Sequence, residues 1–516
     1  MADKIIRKLQ NTLKLSGFTI RREFCILIYE TFLSEGINLG DSDSFENCIK
    51  NLCERLEKQC VSDKSIEKDD ITRAVEGCLR SGYDVHETIL STINAFDYPK
   101  MVYDVDRKLY ILAKKKSSLL SDADSKAQLF VDRYISILHR TQRNFKNKLA
   151  DHDKLVLQTV DFLLTLSYKT LDRILILGSL IQVTEGKYYL EDPTGMIQLD
   201  LTHAKYHGGF FTENCFVLVN GYYEDKILRV STMVLPPGEE YKDSRPFFGN
   251  INYFGGLSNT PLRESQRLKE HLIRNPHNMI LFFSDVWLDH PLVFEKLEVL
   301  FNGMQGSSPV AFVFMGNFMS ESHGSENIEI LKKLFKQFGE LISRYTILMT
   351  NSQFIFIPGM SDPCTPHIVP RLSLPKYVTE EMLRYVPNAI FPTNPCRLQY
   401  CTKEIVLFRA DILAKLMQGT LHRPRKEEIG DSVTRTIVSQ GHLSPISLAA
   451  LTVHWNFDYC LRLYPLPHLV VLGDKAESYQ GSYKGCQLIN PGSFCDSGFQ
   501  FKCYVPCSDT IEDCIL

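Results

Sequence analysis

The stretch MILFFSDVW, residues 279–287, decides the fold, because an unbroken apolar run ends there in a polar turn. The same arrangement recurs as VAFVFMGN (310–317), FIFIPGMSD (354–362) and LVVLGD (469–474). Short apolar runs that end in turn residues are typical of buried strands. Functional groups of an α/β sheet collect just beyond the carboxyl ends of its strands, so we expect these four turns to converge on one crevice.

The side chains of these turns form a poor set of metal ligands. Beside only two well-placed acids, the turns offer Trp287, Asn317, Met360, Ser361 and Lys475. A two-metal hydrolase needs bridging carboxylates and several neutral imidazoles. Trp and Met offer no lone pair to a hard cation, and Lys475 would bring positive charge to the place where a cation should sit. We therefore predict no metal ion, no cofactor and no catalytic residue in this crevice.

Length and composition limit the possible classes of protein. A chain of 516 residues, 44% hydrophobic and 23% charged, is expected to form two to four soluble domains. Its net charge of -3 argues against nucleic-acid binding through bulk electrostatics, although it is compatible with local basic patches, and it favours protein partners. The 15 cysteines form no C-x-x-C pair and no secretory leader precedes them, which predicts reduced thiols in the cytosol or nucleus. No apolar run is long enough to span a membrane.

Residues 1–82 are predicted to form an N-terminal domain of four helices. Apolar residues recur at helical spacing in 5–13, 24–32, 45–56 and 71–79, and Asp43 with Glu46 resembles a capping box for the third helix. These apolar residues would form the core of the domain. A separate terminal module on a long connection also suggests a tethered docking unit.

Residues 83–169 are predicted to be a linker with helical segments. Between residues 129 and 146, basic side chains occur among apolar ones: Arg133, His139, Arg140, Arg143 and Lys146. A basic amphipathic helix can touch a phosphate backbone or an acidic partner. Such charges are more often only a solvated helix face, so both interpretations stay open.

Residues 170–240 are rich in predicted strands. Five apolar or alternating runs at 174–183, 187–191, 196–201, 215–223 and 227–234 are separated by tight turns, as in an OB-type β-barrel. Such barrels often hold single strands through aromatic and basic residues, here Lys187, Tyr188, Tyr189, Tyr222 and Tyr223. These tyrosines have few basic neighbours, so packing against an adjoining domain is the favoured alternative.

Strand-like and helix-like segments alternate in residues 241–516. Besides the four strands already named, we expect helices near 291–300, 328–341 and 432–439, and strands at 396–400, 404–408, 487–489 and 499–504. This pattern predicts packed sheets with helices lying over them. The whole chain is therefore expected to be a multidomain α+β protein: a helical N-terminal domain, an OB-type barrel, and an α/β domain built as a β-sandwich flanked by helices.

Ordered motifs run through the whole chain. They are EDPTG (191–195), LDL (199–201), NINYFGG (250–256), SDVWLD (284–289) and NPGSF (490–494). Together they resemble the B-subunit family of replicative DNA polymerases. Within that family, the helical N-terminus, NPCRLQYC (394–401) and SQGHLSP (439–445) are similar to the subunits of DNA polymerase epsilon. The resemblance covers nearly the whole chain.

The resemblance implies that the last domain is an inactive calcineurin-like phosphoesterase. That superfamily carries D-x-H, G-D, G-N-H-[DE] and G-H-x-H motifs, and their counterparts here would form a vestigial pocket of Asp285, Trp287, Asn317, Met360, Ser361, His442 and Asp474. Asp285 matches the first acid, whereas Trp287 replaces a His and Asn317 replaces an Asp. Met360 and Ser361 replace Asn and His, and Asp474 stands where the last G-H begins. His442 corresponds to a remaining His or is a hydrogen-bonded core residue.

The resemblance also implies partners and a location. The chain would be a non-catalytic accessory subunit of the DNA polymerase epsilon complex, its barrel and phosphoesterase-like domains gripping the cysteine-rich C-terminal region of the catalytic subunit as one unit. The N-terminal helices would contact the replicative helicase assembly, and small histone-fold subunits would share the complex. We expect a nuclear location, no membrane contact, and weak or indirect contact with DNA. The alternatives are a single-stranded-DNA-binding OB module and a divergent metal-dependent phosphoesterase.

Overall fold

This computed structural model describes residues 2–15, 20–34, 49, 52, 53, 56, 68, 71, 72, 74, 75, 87–114, 117–148, 156–165, 171–258, 260–321, 327–363 and 366–516. The helices are α1 (Ala2–Leu15), α2 (Arg22–Ser34), α3 (Ala123–Lys148), α4 (Val160–Thr165), α5 (Tyr241–Ser244), α6 (Gln266–Arg274), α7 (Val293–Met304), α8 (Asn327–Ser343), α9 (Thr346–Asn351), α10 (Lys376–Tyr385), α11 (Ile412–Gly419) and α12 (Ile429–Gln440). The strands are β1 (Leu90–Asn94), β2 (Met101–Asp104), β3 (Leu109–Leu112), β4 (Leu157–Gln158), β5 (Leu171–Thr184), β6 (Lys187–Asp192), β7 (Gly195–Asp200), β8 (Lys205–His207), β9 (Phe216–Glu224), β10 (Ile227–Val234), β11 (Ile280–Ser284), β12 (Ala311–Met315), β13 (Gln353–Ile357), β14 (Cys396–Tyr400), β15 (Lys403–Arg409), β16 (Leu469–Gly473), β17 (Tyr479–Tyr483), β18 (Cys486–Asn490), β19 (Gln500–Val505) and β20 (Thr510–Ile515).

The N-terminal helices share one apolar core. Helices α1 and α2 bury residues three or four positions apart, such as Leu9 and Leu13, because that spacing puts them on one helix face. The described positions of the third and fourth predicted helices are helical, and six of these residues are buried in the same core: Ile49, Leu52, Leu56, Ile71, Ala74 and Val75. The predicted capping pair Asp43 and Glu46 lies outside the described residues.

The five predicted strands of residues 170–240 pair in a ring, which we call the barrel. Strand β5 pairs with β6, β6 with β7, β7 with β10, β10 with β9, and β9 returns to β5. Side chains that alternate along each strand fill the interior, among them Ile176, Leu190 and Val219. Helix α4 adds Val160 and Leu163 to this core, and α3 packs on the outside. The expected OB-type barrel is confirmed.

Eleven of the other strands form two packed sheets, which we call the two-sheet domain. One sheet has the strand order β1-β14-β15-β16-β18-β17 and the other β13-β12-β11-β19-β20. Alternate side chains of β11 point to opposite sides: Ile280 and Phe282 lie between the sheets, whereas Leu281 and Phe283 face helices α7, α8 and α10. Helices α11 and α12 cover the other sheet. Since both faces of the parallel strands are buried, their sequences are apolar throughout. The expected sandwich flanked by helices is confirmed.

Part of the predicted linker belongs to the folded two-sheet domain. Strand β1 pairs antiparallel with β14, with Leu90 opposite Tyr400 and Asn94 opposite Cys396. Strands β2 and β3 form a hairpin next to it along the chain. The expectation of a linker is therefore corrected for residues 90–112, while α3 agrees with the expected helical segments. The strand LSTIN lacks a strong apolar pattern because only Ile93 is fully buried. The domain limits themselves stay predictions.

The cysteines that the structure describes are free thiols, and several of them are buried. Cys215, Cys396 and Cys460 are buried free thiols, and burial raises the pKa of Cys215 to about 12. Within the described ranges, no helix combines the length and the apolar character that membrane crossing requires. The nuclear location stays a prediction.

Candidate functional site

Three of the four strand-end turns are joined by hydrogen bonds. The backbone N–H of Asn317 donates to Asp285 Oδ1 (2.9 Å), and that of Ser361 donates to Asn317 Oδ1 (2.9 Å). Asp362 accepts from the N–H groups of Phe318 (2.8 Å) and Gly359 (2.7 Å). Strands β11, β12 and β13 are parallel and adjacent, which places these turns at one edge of the sheet. The expected convergence of these turns is confirmed.

The turns approach one another too closely to leave room for further side-chain atoms. A Cβ added to Gly316 would lie 2.1 Å from Asp362 Oδ2, and one added to Gly359 would lie 2.3 Å from Asn317 Oδ1. Both separations are far below van der Waals contact. Glycine at both positions therefore allows the second and third turns to meet.

Arg409 fills the centre of the crevice. Its guanidinium donates from Nη2 to Asp285 Oδ1 (2.7 Å), and from Nη1 to Asp411 Oδ1 (2.7 Å) and the Gly473 carbonyl (2.9 Å). Its Nε donates to the carbonyl of Gly316. The side chains of Arg409 and Asp285 are both 0% exposed. One arginine therefore connects the ends of β11, β12 and β16, and brings the fourth turn to the other three.

Burial and charge shift the pKa values of these groups in different directions. Burial alone would lower the pKa of Arg409, but the carboxylates of Asp285 and Asp411 raise it above its usual value. Burial would raise the pKa of Asp411, and the charge of Arg409 lowers it overall. Burial raises the pKa of Asp362 and of Asp474. The crevice thus holds a charged guanidinium that is neutralised by its own chain.

A metal ion does not fit this set of residues. The guanidinium already lies between Asp285 and Asp411, the carboxylates on which it depends for charge compensation. In the part of the chain that the structure describes, no group of three or more His, Cys, Asp and Glu side chains is placed to hold a metal ion. No metal-assisted step is therefore derived from this crevice.

The other predicted pocket residues play structural roles. Trp287 is half-buried, and its carbonyl accepts from His290 N–H (3.0 Å). The carbonyl of Met360 accepts from Arg371, and its side chain packs against the core beneath the six-stranded sheet. Asp474 accepts from the N–H of Leu413 (2.8 Å) at the start of α11. These contacts tie the turns to neighbouring loops.

His442 lies in a different buried cluster. Its Nδ1 accepts from Ser444 N–H (3.1 Å), and its Nε2 lies 3.3 Å from Asp458 Oδ1. Arg133 of α3 also holds Asp458, with Nε donating to Oδ2 (3.0 Å). Burial and the charge of Arg133 lower the pKa of His442, which keeps the imidazole neutral. None of its contacts described here involves the crevice residues.

Three arginines of α3 point inward, whereas Lys146 is exposed. Arg133 pairs with Asp458, and Arg140 donates to the Ser439 carbonyl. Arg143 donates to both carboxylate oxygens of Glu239 (2.8 and 2.7 Å). These side chains fix α3 to the two-sheet domain and to the segment that leads into it. The interpretation of α3 as a surface for phosphate or acidic partners does not hold for these three arginines.

The tyrosines proposed to hold a single strand do not form one exposed surface. Tyr223 is 4% exposed and belongs to the barrel core, against which Tyr188 also packs. Tyr222 is exposed, and Arg229 lies over its ring at 5.9 Å. Period-two alternation along β9 explains the split between Tyr222 and Tyr223.

Sequence reasoning missed Arg409, although the chain carries a signal for it. Arg409 directly follows the predicted strand 404–408 and stands two residues before Asp411. A cation at a strand end beside an acid is the pattern of an internal ion pair. Its main partner Asp285 lies 124 residues away in the chain, so the pairing is not visible in the sequence.

Three protein-family models match successive parts of the chain. The model described as "DNA polymerases epsilon N terminal" matches residues 1–78. The model "DNA polymerase epsilon subunit 2-like, OB-fold domain" matches residues 123–237. The model that describes the B subunit of DNA polymerases alpha and epsilon matches residues 280–481.

Curated relatives match along almost their whole length. The DNA polymerase epsilon subunit 2 of Bos taurus is 37% identical over 97% of this chain and 96% of its own. That of Drosophila melanogaster is 38% identical over 98% and 97%. The B subunit of DNA polymerase epsilon from Arabidopsis thaliana is 31% identical over 98% of each.

Solved structures show a weaker likeness. A novel archaeal phosphodiesterase covers 46% of this chain and 99% of its own at 14% identity, with a TM-score of 0.27. A protein of Thermus thermophilus covers 46% and 98% at 12% identity, also with a TM-score of 0.27. We base no conclusion on likeness of this degree.

Proposed function

The chain belongs to the family of DNA polymerase epsilon second subunits, and from this premise we propose that it is a non-catalytic scaffold within that polymerase. The observation that carries the proposal is the buried guanidinium of Arg409 in the strand-end crevice. A hydrolase would need that space for metal ions and an activated water. A permanent internal cation instead makes the crevice a joint between strands.

Contacts between the barrel and the two-sheet domain support a scaffold role. Gln440 at the end of α12 accepts from Phe216 N–H (2.9 Å) and donates to the Phe216 carbonyl (2.8 Å). Thr212 donates to the Pro445 carbonyl (2.7 Å), and Thr436 accepts from Phe210 N–H (2.9 Å). Such paired, buried hydrogen bonds favour a fixed orientation of the barrel relative to the two-sheet domain. A binding surface for another subunit that spans both units requires this fixed orientation.

The partners follow from the family resemblance. We propose that the barrel and the two-sheet domain together hold the cysteine-rich C-terminal region of the catalytic subunit. Residues 1–82 would link the polymerase to the replicative helicase assembly, and small histone-fold subunits would complete the complex. These roles place the chain in the nucleus and require no catalytic group of its own.

Affinity purification tests the partners. The tagged chain is purified from nuclear extract at moderate salt, and copurifying proteins are identified by mass spectrometry. We expect a large polymerase subunit in a near one-to-one ratio. A chain that lacks residues 1–82 is expected to retain that subunit and to lose the helicase assembly. Recovery of the full chain alone would contradict the scaffold role.

A phosphodiesterase assay tests the absence of catalysis. The purified chain is analysed for bound metal by mass spectrometry, and hydrolysis of a chromogenic phosphodiester is followed with added Mn²⁺. We expect neither bound metal nor turnover above buffer. Metal-dependent turnover that Asp285→Asn abolishes, while circular dichroism shows that the variant remains folded, would refute the proposal and establish the phosphoesterase alternative.

A further inference from the structure

A band of exposed basic side chains lies where the barrel meets the two-sheet domain. It consists of Lys205, His207, His422, Arg423, Arg425 and Arg435, and we call it the basic seam. Lys205 and His207 belong to β8, which pairs with the barrel strand β10. His422, Arg423 and Arg425 follow helix α11, and Arg435 lies on α12. All six side chains are exposed. None of the six takes part in the hydrogen bonds that support the scaffold role.

Backbone and ring contacts bring these separate segments together. The N–H of Leu421 donates to the Phe211 carbonyl (3.0 Å), which ties the loop after α11 to the barrel. The Tyr206 and His422 rings are stacked, with centroids 5.7 Å apart and an interplanar angle of 7°. A Cβ on Gly208 would lie 3.8 Å from Arg435 Nη1, so α12 presents its arginine beside the end of β8. These contacts place His422 and Arg435 beside β8, and Arg423 directly follows His422 in the chain.

Four seam residues with permanent charges lack an ion pair in the part of the chain that the structure describes. In the described ranges, no carboxylate lies within ion-pair distance of Lys205, Arg423, Arg425 or Arg435, whereas Arg133, Arg143 and Arg409 are paired internally. Neighbouring Lys426 pairs with Glu477 at 3.4 Å, and the exposed acids Glu427, Glu428 and Asp431 lie in the chain between Arg425 and Arg435. A local positive surface on a chain of net charge -3 attracts a polyanion.

Aromatic rings are interleaved with these cations. Alternation along β8 exposes Lys205 and His207 and turns Tyr206 toward the barrel, where it supports the His422 ring. Arg435 lies over the Tyr483 ring at 6.0 Å. An acidic peptide would be held by the cations alone. Cations that track phosphates, with rings on which bases stack, are the chemistry of single-strand binding.

We infer that the basic seam binds single-stranded nucleic acid, with phosphates contacting Lys205, Arg423 and Arg435 and a base stacking on His422. This surface differs from the tyrosine strands β6 and β9 of the barrel. The inference does not rest on the scaffold role, because it concerns the chain by itself.

The test measures binding of the full chain to a fluorescent oligo-dT strand by anisotropy over a salt series. The seam variant combines Lys205→Glu, Arg423→Glu and Arg435→Glu. A control variant with the same net charge combines Lys269→Glu, Arg274→Glu and Lys333→Glu on exposed sites of α6 and α8. We expect the seam variant to bind at least about tenfold more weakly at low salt. The plot of the logarithm of the association constant against the logarithm of salt concentration has a negative slope, and we expect its magnitude to decrease by about 2, near 0.7 for each of the three lost phosphate contacts.

Each other outcome overturns the inference. Absence of oligo-dT binding by the unmodified chain at low salt would reject it, as would equal loss in the seam and control variants, which indicates bulk charge alone. If oligo-dT binding is unaffected but the seam variant loses a copurifying acidic protein, the seam is a protein-binding surface instead.

His422→Ala, which keeps the permanent cations, is expected to weaken oligo-dT binding without changing the salt slope; an unchanged affinity would reject the stacking role. Circular dichroism of every variant checks that the fold is retained.

Discussion

At the scale of single residues, Arg409 gives the strand-end crevice a positive charge that does not titrate in the physiological pH range. A guanidinium carries five N–H donors in a fixed plane and stays charged at every physiological pH. It can therefore serve two carboxylates and two carbonyls at once, as it does here with Asp285, Asp411, Gly316 and Gly473. A metal ion in that place would exchange with solvent, whereas a side chain cannot leave.

Replacing Arg409 by methionine should destabilise the two-sheet domain strongly. Arg409→Met leaves Asp285 buried without its counter-charge, which costs about 3–5 kcal/mol for a buried ion pair. The measurement is urea unfolding followed by tryptophan fluorescence, since Trp287 lies two residues from Asp285.

Two further variants separate charge from packing. Adding Asp285→Asn to Arg409→Met should recover part of the loss, because no unpaired buried charge then remains. Arg423→Met, which removes an exposed arginine, should leave stability unchanged within about 0.5 kcal/mol. A loss below about 1 kcal/mol for Arg409→Met would contradict the role assigned to its buried charge.

The buried Asp458 should steepen acid unfolding. Burial alone would raise its pKa, but Arg133 and His442 hold the pKa well below the ordinary value of about 3.9. As pH falls, the unfolded chain therefore binds this proton first, and stability that is complete above about pH 5 is lost progressively below it. Asp458→Asn should lower the melting temperature at pH 7 and flatten its fall below pH 5. The exposed residue Asp124 supplies the control, Asp124→Asn; parallel melting curves for Asp458→Asn and the unmodified chain would contradict the expectation.

At the scale of elements, the close crossing of α12 and β17 depends on glycine. A Cβ on Gly430 of α12 would lie 2.4 Å from the carbonyl oxygen of Gln480 in β17, whereas one on Gly303 of α7 meets nothing within 4 Å. Gly430→Ala should therefore cost about 1–3 kcal/mol through overpacking. Gly303→Ala should cost nothing and can gain up to about 1 kcal/mol from helix propensity. Melting temperatures of the two variants give the comparison, and equal values would contradict it.

Elements with local signals were predictable, and elements defined by distant partners were not. Strands β11, β12, β13 and β16 follow from apolar runs that end in glycine or polar turns, because both of their faces are buried. The convergence of their turns followed from parallel topology. Strand β1 escaped prediction because its five residues mix polar and apolar side chains and owe their conformation to β14. The basic seam escaped as well, since its cations come from three segments that only the folded chain brings together.

At the scale of the whole molecule, the barrel and the two-sheet domain are joined by polar contacts through buried groups. Gln440 satisfies both the N–H and the carbonyl of Phe216, and it is 6% exposed. Arg133 and Arg143 add ion pairs between α3 and the residues that follow the barrel. Hydrogen bonds of this kind are directional, so they fix orientation as well as proximity.

Removing the Gln440 side chain should loosen this junction. Gln440→Ala leaves the backbone N–H and carbonyl of Phe216 without partners, at a cost of about 1–3 kcal/mol for each unsatisfied buried group. Hydrogen exchange followed by mass spectrometry should show faster exchange at β9. The matched control is Gln418→Ala, which removes an exposed glutamine of α11. Unchanged exchange at Phe216 would contradict the role of Gln440.

The pairing of β1 with β14 has a consequence for the order in which the domains fold during synthesis. Leu90 must meet Tyr400, which the ribosome adds about 310 residues later; at about 5–20 residues per second this takes roughly 15–60 s. Throughout that interval β1 has no sheet to join, whereas the barrel strands between residues 171 and 234 have all their partners once residue 234 has been added. The two-sheet domain therefore incorporates a strand that was synthesised before the barrel. The barrel can fold while the nascent chain is still growing, and the two-sheet domain can be completed only after the barrel has formed.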